Sequence, residues 1–252
     1  MRVALPARAK LNLDLRVVRR RDDGFHEIRT HMQAVDLHDL LISAPAEQTT
    51  FTADGLPVPQ GHDNLILKAH AAVEETAGRE LPTRHHLHKR IPPGSGLGGA
   101  SSDAATTLRA LKQIHGLDLD LQPIAARLGG DVPFFLVGGS AVAEGGGERL
   151  TPTPFEPAWF AIAWPGIELS TAGVYRAWDE VKGEAPNELR RAAARVDQRV
   201  QDFADRLGHH WQMTGSGSAF FRRCANPEEV HQAIDSLDCW AVAAHAVGAW
   251  GW

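Results

Sequence analysis

The stretch Pro92-Pro93-Gly94-Ser95-Gly96-Leu97-Gly98-Gly99-Ala100-Ser101-Ser102-Asp103 constrains this chain more than any other. Four glycines within six residues, two prolines before them and two hydroxyls after them exclude a regular strand or a helix interior. They describe a loop whose backbone N–H groups can turn toward one anion. Beyond it, Ala104, Ala105, Leu108, Leu111 and Ile114 fall on one helical face, which predicts a helix over 102–115 with Ser101 or Ser102 as its N-cap. The loop thus runs into a helix N-terminus, where orphan N–H groups and the helix dipole favour negative charge. The pattern reads as a phosphate cradle; a glycine-rich surface turn is the alternative.

Two glycine patterns overlap in this loop. Gly94, Gly96 and Gly99 satisfy the spacing of the dinucleotide fingerprint, but Pro92-Pro93 would interrupt the strand that must precede it. Gly94 and Gly99 also fit the frame of the nucleoside-triphosphate P-loop, except that Ala100 occupies the lysine position. If phosphoryl transfer occurs here, its cation comes from elsewhere in the chain. Lysines are scarce: only Lys10, Lys68, Lys89, Lys112 and Lys182.

The cradle sits in a chain of 252 residues, 43% of them hydrophobic, enough for one large domain or two ordinary ones. A net charge of −5 argues against a general nucleic-acid binder. Cys224 and Cys239 are too few for a disulfide framework or a cysteine zinc site, so a reducing, cytoplasmic setting is the expectation. Arg2, Arg8 and Lys10 interrupt any signal-like opening, and no apolar run reaches the length of a membrane span.

From the N-terminus, Ala9, Leu11, Leu13, Leu15 and Val17 alternate with polar residues, predicting one strand over 9–18 with Lys10, Asn12 and Asp14 on a shared face. Arg19 to Gly24 reads as a hairpin turn, followed by Phe25, His26 and a second strand over 30–42. Asp63-Asn64 caps a helix. His85, His86 and His88 read as strand or loop polarity, with no metal-like constellation around them. Two glycines deliver Asp131 to a helix start or turn, where it is either a general base or an N-cap. A hairpin over 138–150 closes the first half and residues 151–154 form a linker. The second half reads strand 159–164, one amphipathic helix 188–207, strands 211–213 and 219–221, a helix from Asn226, and a strand 240–247. That order, β-α-β-β-α-β, is the split βαβ, ferredoxin-like arrangement.

The set Pro6 to Leu13, Gly24-Phe25-His26, Asp63-Asn64-Leu65, Pro92 to Ser102, Gly130 to Phe134 and Thr214-Gly215-Ser216-Gly217 resembles the GHMP kinase superfamily over nearly the whole chain. The resemblance implies an α+β, two-domain fold. Residues 1–153 would be an ATP-binding domain of the ribosomal protein S5 domain 2-like type, and residues 154–252 a ferredoxin-like, substrate-binding domain. It implies that the loop from Pro92 to Ser102 holds the ATP phosphates, that Asp131 takes the proton from an acceptor hydroxyl, and that Lys10 is its charged neighbour. The opening strand with its Gly-Phe-His turn points to a member that phosphorylates a CDP-alcohol in non-mevalonate isoprenoid synthesis.

On the same resemblance, Phe25, His26 and Tyr175 engage the cytosine, and Asn12 holds the acceptor. Asn64 and Lys89 lie on the adenine side, and Gly215 and Gly217 let the backbone approach the ligands. Magnesium is expected with ATP; no carboxylate pair stands out for it, and Ser102 is one loop hydroxyl within reach of the idea. Three positions depart from the family pattern: Ala100 for a glycine, Asp103 for a frequent asparagine, and Phe25 for a tyrosine. A kinase of another acceptor and a nucleotide-binding relative without turnover remain the alternatives.

Overall fold

The structure, a computed structural model, describes residues 1–250 and is built on two sheets with helices packed against each. The first sheet contains β1 (Val3–Asn12), β2 (Arg16–Arg20), β3 (His26–Pro45), β4 (Thr50–Gly55), β5 (Thr83–Lys89), β6 (Ser140–Gly145) and β7 (Arg149–Pro152). Its order is β4-β5-β3-β6-β7, with β1 and β2 also paired to β3. The long β3 makes this possible: residues 28–33 pair with β6 and residues 40–45 with β5, while β2 and β1 follow one another along it.

The predicted strand over 9–18 is two strands. Leu13 N donates to His31 O, Asp14 Oδ1 accepts from His31 N, and Thr30 Oγ1 donates to Asp14 O, so cross-strand bonds to β3 that use side chains replace the regular ladder at the kink. Asp14 therefore leaves the face that Lys10 and Asn12 share.

Four helices pack on this sheet: α1 (Leu65–Ala77), α2 (Gly99–His115), α3 (Gln122–Leu128) and α4 (Val132–Val137). Met32, Leu81, Leu108, Leu111, Phe134 and Phe135 meet in their shared core. Asn64 caps α1, accepting from Ile66 N, worth about 1 kcal/mol. The helix after the glycine loop starts three residues earlier than its apolar face indicates. Gly98 is the N-cap, its φ of 76° turning the chain into the helix and its carbonyl accepting from Ser102 N. Ser101 and Ser102 therefore sit inside the first turn and do not cap it.

The second sheet follows, with β8 (Trp159–Trp164), α5 (Thr171–Val181), α6 (Arg190–Val196), α7 (Arg199–Leu207), β9 (Gln212–Met213), β10 (Phe220–Cys224), α8 (Pro227–Asp235) and β11 (Trp240–His245). Its order β11-β8-β10-β9, antiparallel throughout, is the ferredoxin-like one. The predicted helix 188–207 is broken into α6 and α7, because Asp197 is extended and its carboxylate accepts from Arg199 N. The apolar periodicity runs through the break, which hides it. The helix α5 went unforeseen; Ser170 caps it, and Val174 and Trp178 bury its inner face.

The chain then returns to the first sheet. Val247 N donates to Ala34 O, Trp250 N to Val137 O, and the Trp250 indole N–H to Phe135 O.

Candidate active site

The glycine loop lies between the two sheets and is bonded to both. Lys10 N of β1 donates to Leu97 O, while Leu169 N and Ala219 N from the second half donate to Gly94 O and Ser95 O. Ser95 Oγ closes the turn on Pro92 O at 2.6 Å. Leu97 is fully buried with Ala9, Leu11 and Ile91, anchoring the loop from beneath. Gly96 is pressed against the 214–217 turn: a Cβ there would lie 2.3 Å from Thr214 O, at a φ of 81° that side chains rarely adopt. The result is a cleft of about 540 Å³ with Pro92 to Gly96 and Gly98 to Ser101 along one wall.

Across that wall stand Lys10 and Asp131. Lys10, on β1, is 3% exposed, and its Nζ donates to Asn12 Oδ1 and to Gly96 O. Asp131 immediately precedes α4 yet makes no capping hydrogen bond; its Oδ2 lies 3.8 Å from Lys10 Nζ. The side chain of Asp131 therefore does not cap α4. Burial pulls the Lys10 ammonium below its usual range, and Asp131 opposes that pull. Asn12 is fixed from both ends, its Nδ2 donating to Thr30 Oγ1 and its backbone N–H to Thr214 Oγ1.

Beneath the loop lies a second charged group. Lys89, at the end of β5, donates to Asp39 Oδ2 and Asp103 Oδ2, each at 2.6 Å, and Asp39 Oδ1 accepts from Arg90 N and Ile91 N. All three side chains are buried. Burial works against the charge of Lys89, but Asp103 and Asp39 outweigh it and raise its pKa; burial raises that of Asp103 against the pull of Lys89. Lys89 thus reaches the cleft with its ammonium already committed to two carboxylates, bolting the strand that feeds the loop. Asn64 also lines the cleft, while its side chain caps α1 and donates to Pro59 O.

On the other side, Tyr175 and Thr171 of α5 line the cleft with Gly215 and Ser216, and Thr171 and Ser216 hydroxyls lie 3.1 Å apart. Burial, with Asp131 nearby, raises the Tyr175 phenol above its usual range. His26 stacks on Tyr175 with ring centroids 5.0 Å apart, and its Nε2 pairs with Asp179 Oδ1 at 2.8 Å. His26 therefore backs Tyr175 and does not line the cleft. Phe25 is 72% exposed at the hairpin turn and outside the cleft. Gly217 packs against the Met213 sulfur, and Ser102 is buried on the inner side of α2.

Thr171, Ser216 and the Pro57 to Pro59 segment were not legible as site residues. The Ser170-Thr171 helix start was the one available signal for the first of these.

The cleft, its glycine loop and the carboxylate–ammonium pair define a two-sheet, GHMP-type small-molecule kinase, and the model of the GHMP kinases N terminal domain matches residues 64–139. The Methanococcus jannaschii mevalonate kinase structure shares the fold, with a TM-score of 0.66 over 98% of both chains at 14% identity. A crystal structure of 4-(cytidine 5'-diphospho)-2C-methyl-D-erythritol kinase superposes with a TM-score of 0.83 at 34% identity, over 98% of this chain and 100% of that one. The 4-diphosphocytidyl-2-C-methyl-D-erythritol kinase of Thermus thermophilus is 37% identical over 94% of this chain and 93% of its own length. The chain belongs to the 4-diphosphocytidyl-2-C-methyl-D-erythritol kinase family.

Proposed function

We propose that the protein transfers the γ-phosphoryl group of ATP to the 2-hydroxyl of 4-diphosphocytidyl-2-C-methyl-D-erythritol, giving the 2-phosphate and ADP, a step of non-mevalonate isoprenoid synthesis in the cytoplasm. Residues 1–153 bind ATP and residues 154–252 contribute to acceptor binding. The observation that carries this reading is the Lys10–Asp131 pair at 3.8 Å, facing a glycine loop that opens a helix, in a cleft also lined by Tyr175.

The loop N–H groups and the N-terminus of α2 receive the phosphates. The acceptor oxygen forms a bond to the γ-phosphorus as the bond to the bridging oxygen breaks and ADP leaves; Asp131 takes the hydroxyl proton. Lys10 offsets the charge that moves through the transferring group, and being already hydrogen-bonded to Gly96 O and Asn12 it needs no reorganisation to do so. Tyr175, with His26 behind it, offers a ring face to the cytosine.

Magnesium bound with ATP would neutralise phosphate charge. The residues present fit it: the Ser101 hydroxyl lines the cleft, and Asp103 carries a buried Oδ1 without a hydrogen-bond partner one turn into α2. These two would hold the ion, in place of Ser102.

The test is ADP release from Mg-ATP with 4-diphosphocytidyl-2-C-methylerythritol, mevalonate or homoserine as acceptor. Turnover confined to the cytidine compound supports the reading. Turnover with another acceptor discards the cytosine assignment, and ATP binding without turnover on any acceptor replaces the kinase with a nucleotide-binding relative.

A further inference from the structure

Two strands at the edge of the first sheet bring together side chains that the phosphoryl-transfer cleft does not use. β4 and β5 run parallel, with Thr52 opposite His86 and Asp54 opposite His88. The two-residue period of a strand puts all four on one face, and that face looks toward solvent: Thr52 and Asp54 are exposed, His86 and His88 half-buried. His86 and His88 pack edge to face, ring centroids 4.5 Å apart. In sequence only the two histidines stand out, because Asp54 lies 34 positions before His88 and the parallel pairing joins them.

We propose that Asp54, His86 and His88 form a binding site for a first-row divalent transition cation of the zinc class, with Thr52 orienting one of the imidazoles. One nitrogen from each ring and one carboxylate oxygen lie within 4.8 Å of one another, so small rotations of these side chains would bring them onto one ion with bonds of about 2.0–2.2 Å. His88 Nδ1 is 2.6 Å from Asp54 Oδ1, and His86 Nε2 is 3.3 Å from Asp54 Oδ2. The second nitrogen of His86 is engaged: Nδ1 lies 2.8 Å from Thr52 Oγ1. A hydroxyl that accepts the Nδ1 proton leaves Nε2 as the free ligand atom, which is the outer-shell arrangement that fixes metal-binding imidazoles.

Two imidazoles and a carboxylate select zinc, copper or nickel over magnesium, which prefers all-oxygen ligands and dehydrates reluctantly. Three protein ligands leave a position for water. None of the three residues lines the ATP cleft, so the site is separate from the magnesium that accompanies the nucleotide. A cation held there ties the edge strand β4 to β5.

The experiment is titration of the whole protein with Zn²⁺ against a chromophoric chelator, in millimolar Mg²⁺ and without nucleotide, with melting temperature as a second readout. One equivalent of zinc should bind at micromolar concentration and raise the melting temperature. The His86→Ala/His88→Ala variant should lose both effects while melting like the parent without zinc, Asp54→Asn should bind more weakly, and Thr52→Val should lose about tenfold in affinity. The chain has 13 histidines, with His209 and His210 adjacent, so the His209→Ala/His210→Ala variant is the control and should bind as the parent does. Zinc binding that survives in His86→Ala/His88→Ala, or disappears in His209→Ala/His210→Ala, overturns the proposal. So does a parent that binds no more tightly than His86→Ala/His88→Ala, or a site that millimolar Mg²⁺ empties.

Discussion

Asp131 stands at the N-terminal boundary of α4 and caps nothing; its carboxylate faces Lys10 Nζ, 3.8 Å away across the cleft. The pair is asymmetric in its surroundings. Lys10 is 3% exposed and held by Asn12 and Gly96 O, whereas the Asp131 side chain remains 31% open to the cleft. The lysine is thus held in place, and the aspartate is the more accessible partner of the two.

Asp131→Ala should lower kcat by about 10²- to 10⁴-fold, the usual contribution of a general base, with ATP binding within a few-fold of the parent. Lys10→Ala should lower kcat comparably and also raise KM for ATP, because it leaves Gly96 O and Asn12 Oδ1 without their donor. Single-turnover transfer and nucleotide-induced melting shifts separate the two effects. Normal turnover in Asp131→Ala would remove the base assignment.

Tyr175→Ala should raise KM for the cytidine acceptor by roughly 5- to 100-fold, the worth of one base–aromatic stack, and leave KM for ATP nearly unchanged. Phe25→Ala should lose less, since Phe25 stands exposed at the hairpin turn and Tyr175 lines the cleft. Steady-state kinetics with each substrate varied in turn decides it; a larger loss in Phe25→Ala would make the turn the principal clamp on the base.

Gly96→Ala places a methyl carbon 2.3 Å from Thr214 O and forces a side chain into the left-handed region. The expected cost is about 1–3 kcal/mol in a denaturant melt, together with a higher KM for ATP as the loop and the 214–217 turn separate. An unchanged melt would show that the loop yields without resistance.

His85, on the buried face of β5, meets Ser43 Oγ through Nδ1 and His70 Nδ1 through Nε2. Burial, and then the charges of His70 and His115, lower its pKa from 6.5 to about 3. The unfolded chain therefore takes the proton more readily than the folded one. The stability this group contributes is complete above pH 6.5 and is lost as pH falls toward 3, by roughly 1.4 kcal/mol per pH unit. Melts of the parent and of His85→Gln across that range should show a shallower acid limb in the variant; parallel limbs would place the acid sensitivity elsewhere.

Much of this is legible in the amino-acid sequence alone. The glycine loop, the alternation that carries Lys10 and Asn12, and the Asn64 and Asn226 caps are local signals, and each lies where its own residues put it. What stayed hidden depends on residues far apart in sequence. Asp39 and Asp103 are ordinary carboxylates until folding places Lys89 between them, and His86 and His88 are strand polarity until β4 brings Asp54 alongside. The break at Asp197 was hidden differently, since its side-chain bond to the N–H of Arg199 ended the helix while the apolar rhythm carried on, whereas the Asp14 carboxylate accepts from His31 of β3, 17 residues away.

The return of residues 246–250 to the first sheet has a mechanical side. The chain crosses between the sheets once after Pro152 and again after His245, where Ala246 bridges Val35 and Ala249 bridges Gly138. Two crossings leave the halves no single pivot. A change in the width of the cleft would therefore strain both connections together.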